Sequence, residues 1–307
     1  MSEPLLPDLG VLRRCWPEYG DSSTTHRVAV AGVEFGGHRP VVIAGPCAVE
    51  SYDQTIHIAR AVRACGAQLL RGGAFKPRTN PHSFQGLGDE GLEILAEARR
   101  QTGLGIVTEV MDVRLVEKVA SYADMLQIGS RSMQNYPLLV EVGRTSMPIL
   151  LKRGWSSTLE EWLCAAEYIA KEGNRNIVLC ERGVRTACQW SYARSILDLN
   201  VIEPLKRVTP LPIIVDPSHA TGDWTLVAPM SRAAIATGAQ GLLVEVVESG
   251  VDRSCVKCDA YQGVPPEILS SIVREIDSKG EAEATRSGEL TDPGVRRRPV
   301  TTTPEGD

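Results

Sequence analysis

Short apolar runs recur along the chain, and segments with helical periodicity separate them. Runs of this kind are typical of parallel strands that are buried on both faces. Two of the intervening segments, 87–100 and 158–170, carry apolar residues at helical spacing, and Thr158 stands where an N-cap is expected. The eight runs are residues 41–45, 67–72, 104–109, 124–129, 148–154, 176–183, 212–219 and 241–246.

Eight alternations of strand and helix predict an α/β fold, a (β/α)₈ TIM barrel. The alternative is an open doubly wound sheet, which would usually have fewer strands or a second domain. Residues 26–37 alternate as strands do and predict a short N-terminal β-hairpin that covers the barrel bottom. We expect an N-terminal extension over 1–25, a barrel catalytic domain over 26–278 and a disordered, polar tail over 279–307.

Composition narrows the class of partner. The chain has 307 residues, is 43% hydrophobic and carries a formal net charge of −5, so no overall basic field favours nucleic acid or an anionic membrane. No apolar run approaches the roughly 20 residues of a membrane span, and the N-terminus lacks the pattern of a signal peptide. We therefore expect a cytoplasmic protein with a small-molecule substrate. The eight cysteines then predict reduced thiols rather than a disulfide framework.

Residues of metal-ligand type follow three of the apolar runs, at the strand ends where barrel active sites lie. Cys47, His219 and Glu245 are these residues, and Asp259 is the best placed later acid. A thiolate, an imidazole and carboxylates together suit Mn, Fe, Co or Zn, and they suit Mg poorly. Taken singly, Cys47 also fits a buried small residue and Glu245 an isolated acid.

Cations form a second group at the strand ends. The segment RGGAFKPRT, residues 71–79, places three of them in one glycine- and proline-containing loop. Several cations at one mouth repel each other unless anions bind, so two phosphates, or a phosphate and a carboxylate, are expected ligands. The alternatives are a solvated basic turn and ion pairs with neighbouring acids, such as Glu181 beside Arg182. The six cations are Arg71, Lys76, Arg78, Arg131, Lys152 and Arg182.

Cys255 and Cys258 have the CxxC spacing of redox and zinc motifs. No second CxxC or histidine pair accompanies them, and the segment does not open a helix after a strand. We interpret them as two incidental thiols in a loop near the mouth.

Several strings resemble the short, type I-beta 3-deoxy-7-phosphoheptulonate (DAHP) synthases, a family that also includes relatives making 3-deoxy-octulosonate 8-phosphate. The resemblance runs from about Arg27 to about Ile276. KPRT followed by SFQG is similar to the branch that accepts erythrose 4-phosphate. The matching strings are VVIAGPCAVES (41–51), RGGAFKPRTNPHSFQGLG (71–88), QIGSRSMQN (127–135), LLKRG (150–154), LCERGVRT (179–186), VDPSHATG (215–222) and LLVEV (242–246).

The resemblance implies a transferase that condenses phosphoenolpyruvate with erythrose 4-phosphate and water in the shikimate pathway of aromatic amino acid biosynthesis. One divalent ion would be held by Cys47, His219, Glu245 and Asp259. The implied catalytic residues are Lys76, Lys152 and His219. Phosphoenolpyruvate would contact Arg131, Lys152 and Arg182, with Lys76 nearby, and the aldose phosphate would contact Arg71, Arg78 and Thr79. The family also implies a homo-oligomer, a dimer or a tetramer.

The chain departs from the family pattern at several positions. Asp259 lies farther from Glu245 than the last metal acid usually does, so Asp252 competes for that role. Asn80 and His82 replace the usual Ser and Tyr on the aldose side. A related synthase that uses a different aldose phosphate in secondary metabolism is therefore an alternative, and a non-catalytic barrel that binds phosphorylated ligands is another. The short N-terminus also leads us to expect no separate regulatory domain.

Overall fold

Eight parallel strands close into a barrel in this computed structural model, which describes residues 25–186 and 193–289. An antiparallel pair precedes the barrel. The strands are β1 (Val28–Val30), β2 (Val33–Phe35), β3 (Val41–Gly45), β4 (Leu69–Arg71), β5 (Gly105–Glu109), β6 (Met125–Ile128), β7 (Ile149–Lys152), β8 (Ile177–Glu181), β9 (Ile213–Val215) and β10 (Gly241–Glu245). The helices are α1 (Tyr52–Ala64), α2 (Asp89–Thr102), α3 (Val116–Tyr122), α4 (Tyr136–Gly143), α5 (Leu159–Lys171), α6 (Ile202–Val208), α7 (Pro217–Thr221), α8 (Trp224–Ala236) and α9 (Pro266–Glu289).

The barrel closes where its last strand pairs with its first. β10 lies parallel to β3 in the register Gly241 with Val41 through Glu245 with Gly45, which excludes the open sheet. Each of the eight apolar runs contains one barrel strand, so the barrel prediction is confirmed. The runs are continuous because alternate strand residues face the barrel interior and the surrounding helices, and both faces are buried.

The helix signals also agree with the structure. Thr158 caps α5 in a capping box, since its side chain accepts from the Glu161 N–H and the Glu161 carboxylate accepts from the Thr158 N–H. α5 then buries Trp162 completely, and the indole N–H of Trp162 donates to the Leu151 carbonyl of β7 over 3.2 Å. This contact fixes α5 against the strand that carries Lys152.

The hairpin of β1 and β2 closes the N-terminal end of the barrel. Val28, Val30 and Phe35 are buried in the same cluster as the inward-facing barrel residues. The His26 N–H donates to the Pro210 carbonyl, just before β9, over 2.7 Å. The predicted cover over the barrel bottom is therefore confirmed, and the C-terminal ends of the strands are left as the open mouth.

The barrel ends in α9, which continues past the expected domain end at 278. Residues 279–289, which the sequence assigns to the tail, are helical, in agreement with their Glu and Ala content. Residues 1–24 of the N-terminal extension and 290–307 of the tail lie outside the described residues. Within the described part of the chain, none of the helices combines the length and the apolar character needed to cross a membrane.

Candidate active site

Polar side chains form the top layer of the barrel interior. Seven strands each present an inward apolar residue and then, two positions later, a polar one that faces the same way because side chains alternate along a strand. All of these polar residues except Asp216 and Glu245 line a cavity of about 390 Å³ at the C-terminal mouth. The seven polar residues are Arg71, Glu109, Gln127, Lys152, Arg182, Asp216 and Glu245.

The mouth brings together the four residues of metal-ligand type. One ligand atom from each of Cys47, His219, Glu245 and Asp259 lies within 4.8 Å of all the others. Cys47 follows β3, His219 lies in α7, Glu245 ends β10, and Asp259 stands in the loop between β10 and α9. Asp252, the competing acid, lies elsewhere in that loop, and its side chain accepts from Ser254. The geometry therefore favours Asp259 over Asp252 as the fourth member.

His219 is oriented by carboxylates on both ring nitrogens. Its Nδ1 lies 2.6 Å from Asp216 Oδ2 and its Nε2 lies 3.0 Å from Glu245 Oε1. Asp216 also caps α7 by accepting from the His219 N–H and pairs with the Lys152 ammonium over 2.5 Å. Burial lowers the pKa of His219, but Asp216 and Glu245 outweigh burial and raise that pKa to about 9. The two carboxylates therefore favour the protonated form of the imidazole at neutral pH.

Cys47, His219, Glu245 and Asp259 together form what we call the donor group. Its two carboxylates, one buried and one half-buried, favour the ionised form. Burial raises the pKa of Glu245, but His219 and Arg71 hold it well below its usual range. Arg71 donates to Glu245 Oε1 over 2.7 Å and Gln262 donates to Oε2 over 2.5 Å. Burial and Glu245 raise the pKa of Asp259, but His219 and Arg194, which pairs with Asp259 over 2.9 Å, outweigh them and lower that pKa to about 2. The donor group therefore presents anionic oxygens, as a cation site requires.

Cys258 lies directly beside the donor group, which corrects its interpretation as an incidental thiol. Its Sγ is 3.1 Å from Cys47 Sγ, and the Arg78 guanidinium donates to it over 3.0 Å. The hydrogen bond between the two thiols raises the pKa of Cys47 and lowers that of Cys258. The CxxC spacing gave the wrong interpretation because Cys258 contacts Cys47, which is distant in sequence. Cys255, the other cysteine of the CxxC motif, is exposed.

The six predicted cations and Thr79 all line the cavity. Their surroundings differ. Arg71 is occupied by Glu245 and by the Cys47 carbonyl, and Lys152 is paired with Asp216. Lys76 donates to the Cys47 carbonyl and to Cys47 Sγ over 3.0 and 3.2 Å. The cavity is thus lined by these cations together with His219 and Asp259 of the donor group.

The ion pair suggested between Glu181 and Arg182 is wrong. Glu181 pairs with Arg153 over 2.9 Å, and Asp198 joins the same guanidinium over 3.0 Å. Consecutive strand residues face opposite sides, so Glu181 and Arg153 meet outside the barrel wall while Arg182 faces the cavity. Arg182 instead donates to the His219 carbonyl over 3.0 Å.

Sequence reasoning missed several residues at the mouth. Gln127, Trp155, Arg185 and Arg194 line the cavity, and Gln262 donates to Glu245. Arg185 lies within a string used for the family resemblance, so it could have been found. Trp155 and Gln262 carry no signal of their own in the sequence, because their roles depend on segments that only the fold brings together.

Comparison with known proteins identifies the group to which this barrel belongs. The sequence profile of the DAHP synthetase I family matches residues 24–277. The chain belongs to the DAHP synthetase I family. A phospho-2-dehydro-3-deoxyheptonate aldolase from Thermotoga maritima is 43% identical over 255 residues, covering 83% of this chain and 74% of the relative. The family and the enzyme class expected from the sequence are confirmed.

The chain is similar both to phosphoheptonate aldolases and to phosphooctonate aldolases. A 2-dehydro-3-deoxyphosphooctonate aldolase from Syntrophotalea carbinolica is 32% identical over 266 residues, covering 80% of this chain and 93% of the relative. The crystal structure of the Thermotoga maritima DAHP synthase matches with a TM-score of 0.80 at 42% identity, covering 86% of this chain and 76% of that one. A truncated form of the Thermotoga maritima enzyme matches with a TM-score of 0.78, covering 86% of this chain and 95% of its own.

Proposed function

We propose that this enzyme condenses phosphoenolpyruvate with erythrose 4-phosphate and water to give 3-deoxy-7-phosphoheptulonate and phosphate. The observation that carries the proposal is the position of a four-residue donor group inside a cavity lined with cations. One feature suits a metal and the other suits two phosphorylated substrates. The name of the relative from Thermotoga maritima supports the choice of product.

The donor group fits one divalent ion, Mn, Fe, Co or Zn. Cys47, His219, Glu245 and Asp259 would hold it, since one thiolate, one imidazole and two ionised carboxylates match borderline metals. When bound, such an ion supplies a Lewis acid that polarises the aldehyde carbonyl. Asp216 fixes the ring of His219, so that its Nε2 faces the donor group.

Phosphoenolpyruvate is proposed to bind over the strand ends that carry Arg131, Lys152 and Arg182, with Lys76 beside it. Their charges hold its phosphate and carboxylate so that C3 faces the aldehyde. C3 forms the new carbon–carbon bond to the aldehyde carbon, water adds at C2, and phosphate leaves by cleavage of the C2–O bond. Lys152 donates the proton to the former aldehyde oxygen and regains one as water adds at C2, and the remaining hydroxyl proton leaves with phosphate as the ketone forms. Asp216, 2.5 Å away, orients the Lys152 ammonium group.

The aldose phosphate is proposed to bind along the loop after β4. Arg78 and Thr79 face the cavity there. The family resemblance implies an aldose-phosphate contact for Arg71 as well. Its side chain is only 3% exposed and donates to Glu245 and to the Cys47 carbonyl, so we assign Arg71 to positioning the donor group. The aldose phosphate therefore depends chiefly on residues at the rim.

A different aldose phosphate is the second candidate substrate. Asn80 lines the cavity where the family usually has Ser, and relatives named as phosphooctonate aldolases match much of the chain. A non-catalytic barrel is less well supported, because all four members of the donor group are present and convergent.

The test is to incubate the purified protein with phosphoenolpyruvate and one aldose phosphate at a time, with and without a chelator, and to measure phosphate and keto acid together. Erythrose 4-phosphate, ribose 5-phosphate and arabinose 5-phosphate form the panel. We expect equal amounts of both products with erythrose 4-phosphate, loss with chelator and recovery with added metal. Turnover with ribose 5-phosphate or arabinose 5-phosphate, and none with erythrose 4-phosphate, would favour the second candidate substrate.

We further propose a homo-oligomer, a dimer or a tetramer, in the cytoplasm, where this enzyme would join aromatic biosynthesis. The family resemblance motivates the assembly, and reduced thiols suit the compartment. Light scattering of the protein as it elutes from a gel-filtration column gives the number of subunits. A monomeric mass would contradict the proposed homo-oligomer.

A further inference from the structure

The indole ring of Trp155 contacts three guanidinium groups at the rim of the cavity. The Cζ atoms of Arg185, Arg131 and Arg182 lie 4.2, 4.6 and 5.6 Å from the ring centroid. Trp155 stands in the loop between β7 and α5, Arg131 follows β6, and the other two arginines follow β8. One ring thus collects cations from two other segments of the chain.

The cations around Trp155 differ from others at the mouth in how their charge is balanced. Arg71 and Arg194 pair with carboxylates. Within residues 25–186 and 193–289, Arg131, Arg182 and Arg185 form no ion pair with a carboxylate. An aromatic face attracts a cation without neutralising its charge. The ring therefore holds the guanidiniums together while their charge stays available to an anion.

The backbone fixes the ring relative to Arg185. The Arg185 N–H donates to the Trp155 carbonyl over 2.7 Å, which ties the loop after β8 to the loop after β7. Val184 and Ile196 exchange backbone hydrogen bonds beside this contact. The arrangement is therefore built into the two loops rather than left to two independent surface side chains.

We propose that Trp155 is a positioning residue for the phosphate of phosphoenolpyruvate, and that Arg185 is a further ligand of that phosphate. The ring presets Arg131, Arg182 and Arg185 as one anion site, and planar guanidiniums suit phosphate oxygens through paired N–H donors. The identity of the anion rests on the proposed function. The three-guanidinium site itself does not, since inorganic phosphate carries the same recognised group.

The experiment compares Trp155→Leu, Trp155→Phe and Arg185→Gln with the unchanged protein. Isothermal titration with phosphoenolpyruvate, and separately with inorganic phosphate, measures binding without any aldose phosphate. We expect Trp155→Leu and Arg185→Gln each to weaken phosphoenolpyruvate about tenfold, and Trp155→Phe to retain affinity within about threefold because a ring remains. Matched controls are Tyr168→Leu, an exposed ring on α5, and Arg207→Gln, an exposed arginine on α6.

Steady-state kinetics separates positioning from a general structural effect. We expect the KM for phosphoenolpyruvate to rise about tenfold in Trp155→Leu, with kcat and the KM for the aldose phosphate within about twofold. If Trp155→Leu does not fold, Trp155→Phe with Arg185→Gln and Arg185→Lys decides the question, since lysine keeps the charge but lacks the planar donors. We expect Arg185→Lys to bind between the unchanged protein and Arg185→Gln.

Unaltered binding of both anions in Trp155→Leu and Arg185→Gln would overturn the inference, and so would a rise only in the KM for the aldose phosphate. Absence of any phosphate or phosphoenolpyruvate binding by the unchanged protein would do so as well. A protein that binds phosphoenolpyruvate as described but releases no phosphate with any aldose phosphate contradicts the proposed condensation and leaves the positioning role intact.

Discussion

His219 Nε2 lies 3.0 Å from Glu245 Oε1, a distance at which the protonated ring donates to a carboxylate that would share a metal ion with it. The raised pKa of His219, about 9, follows from Asp216 and Glu245, which outweigh its burial. A metal must displace this proton, because only the neutral imidazole can ligate. Proton release is therefore an expected part of metal binding.

Metal affinity should rise with pH through neutral pH and beyond pH 9, because the His219 imidazolium and the Cys47 thiol, whose pKa is raised, must both lose a proton. Below the pKa of His219 the protonated form competes, so each unit of pH is expected to change the affinity by about tenfold for each proton released. Calorimetry at pH 7 in buffers of different ionisation enthalpy counts those protons. His219→Gln, which binds no proton there, should release one fewer. A heat independent of the buffer would contradict this account of the site.

Cys47 and Cys258 should differ sharply as metal ligands, although their sulfurs lie 3.1 Å apart. Only Cys47 belongs to the four-residue donor group. Cys47→Ser should weaken cobalt binding by more than about a hundredfold, which exceeds the usual loss of metal affinity when a residue that only orients a ligand is removed. Cys258→Ser should bind cobalt within about tenfold of the unchanged protein. Chelator competition gives the affinities, and the sulfur-to-cobalt absorption band should vanish in the first variant alone. Loss of the band in the second would exchange their roles.

Gln262 should support metal binding without touching the metal. Its amide donates to Glu245 Oε2, and both residues are buried. Gln262→Leu removes this donor and should weaken metal binding by about 10–100-fold, the usual effect of losing a group that orients a ligand. Gln101→Leu is the control, because Gln101 also donates to a carboxylate, that of Glu97, but on the outer surface. Equal metal affinities in the two variants would remove Gln262 from the site.

The pair of Arg153 and Glu181 should contribute to stability rather than to chemistry. Both side chains are buried and lie outside the cavity. Arg153→Leu leaves a buried carboxylate without its partner and should lower the free energy of unfolding by about 3–5 kcal/mol, whereas Arg153→Leu with Glu181→Leu should lose less. Arg144→Leu, at an exposed pair, should cost under about 1 kcal/mol. Denaturant unfolding measures these variants and Glu181→Leu alone, and a double variant whose loss equals the sum of the two single losses would rule out the coupling.

The barrel could be predicted because each strand is recognisable from its own short sequence. Burial on both faces produces continuous apolar runs, and each run contained a strand. Strand ends also located Cys47, His219 and Glu245. Asp259 could not be separated from Asp252 by sequence, because both lie in an irregular loop whose path depends on contacts such as that between Arg194 and Asp259.

Errors arose where proximity in sequence was taken for proximity in space. Glu181 and Arg182 are neighbours in the chain but face opposite sides of the barrel wall, which the alternation of strand side chains could have revealed. Cys258 was judged by its spacing from Cys255, whereas its contact is Cys47. Trp155 was missed because its ring acquires its partners only when two other segments fold around it.

The donor group spans the seam of the barrel, where β3 pairs with β10. Cys47 follows the first barrel strand, and the other three donors follow the last two. During synthesis, the ribosome releases Cys47 long before His219, Glu245 and Asp259 exist. The complete set can form only after the chain has closed on itself, so a metal that needs all four residues would bind after barrel closure. A bound ion would then link the first barrel strand to the last two and stabilise the closed barrel against unfolding.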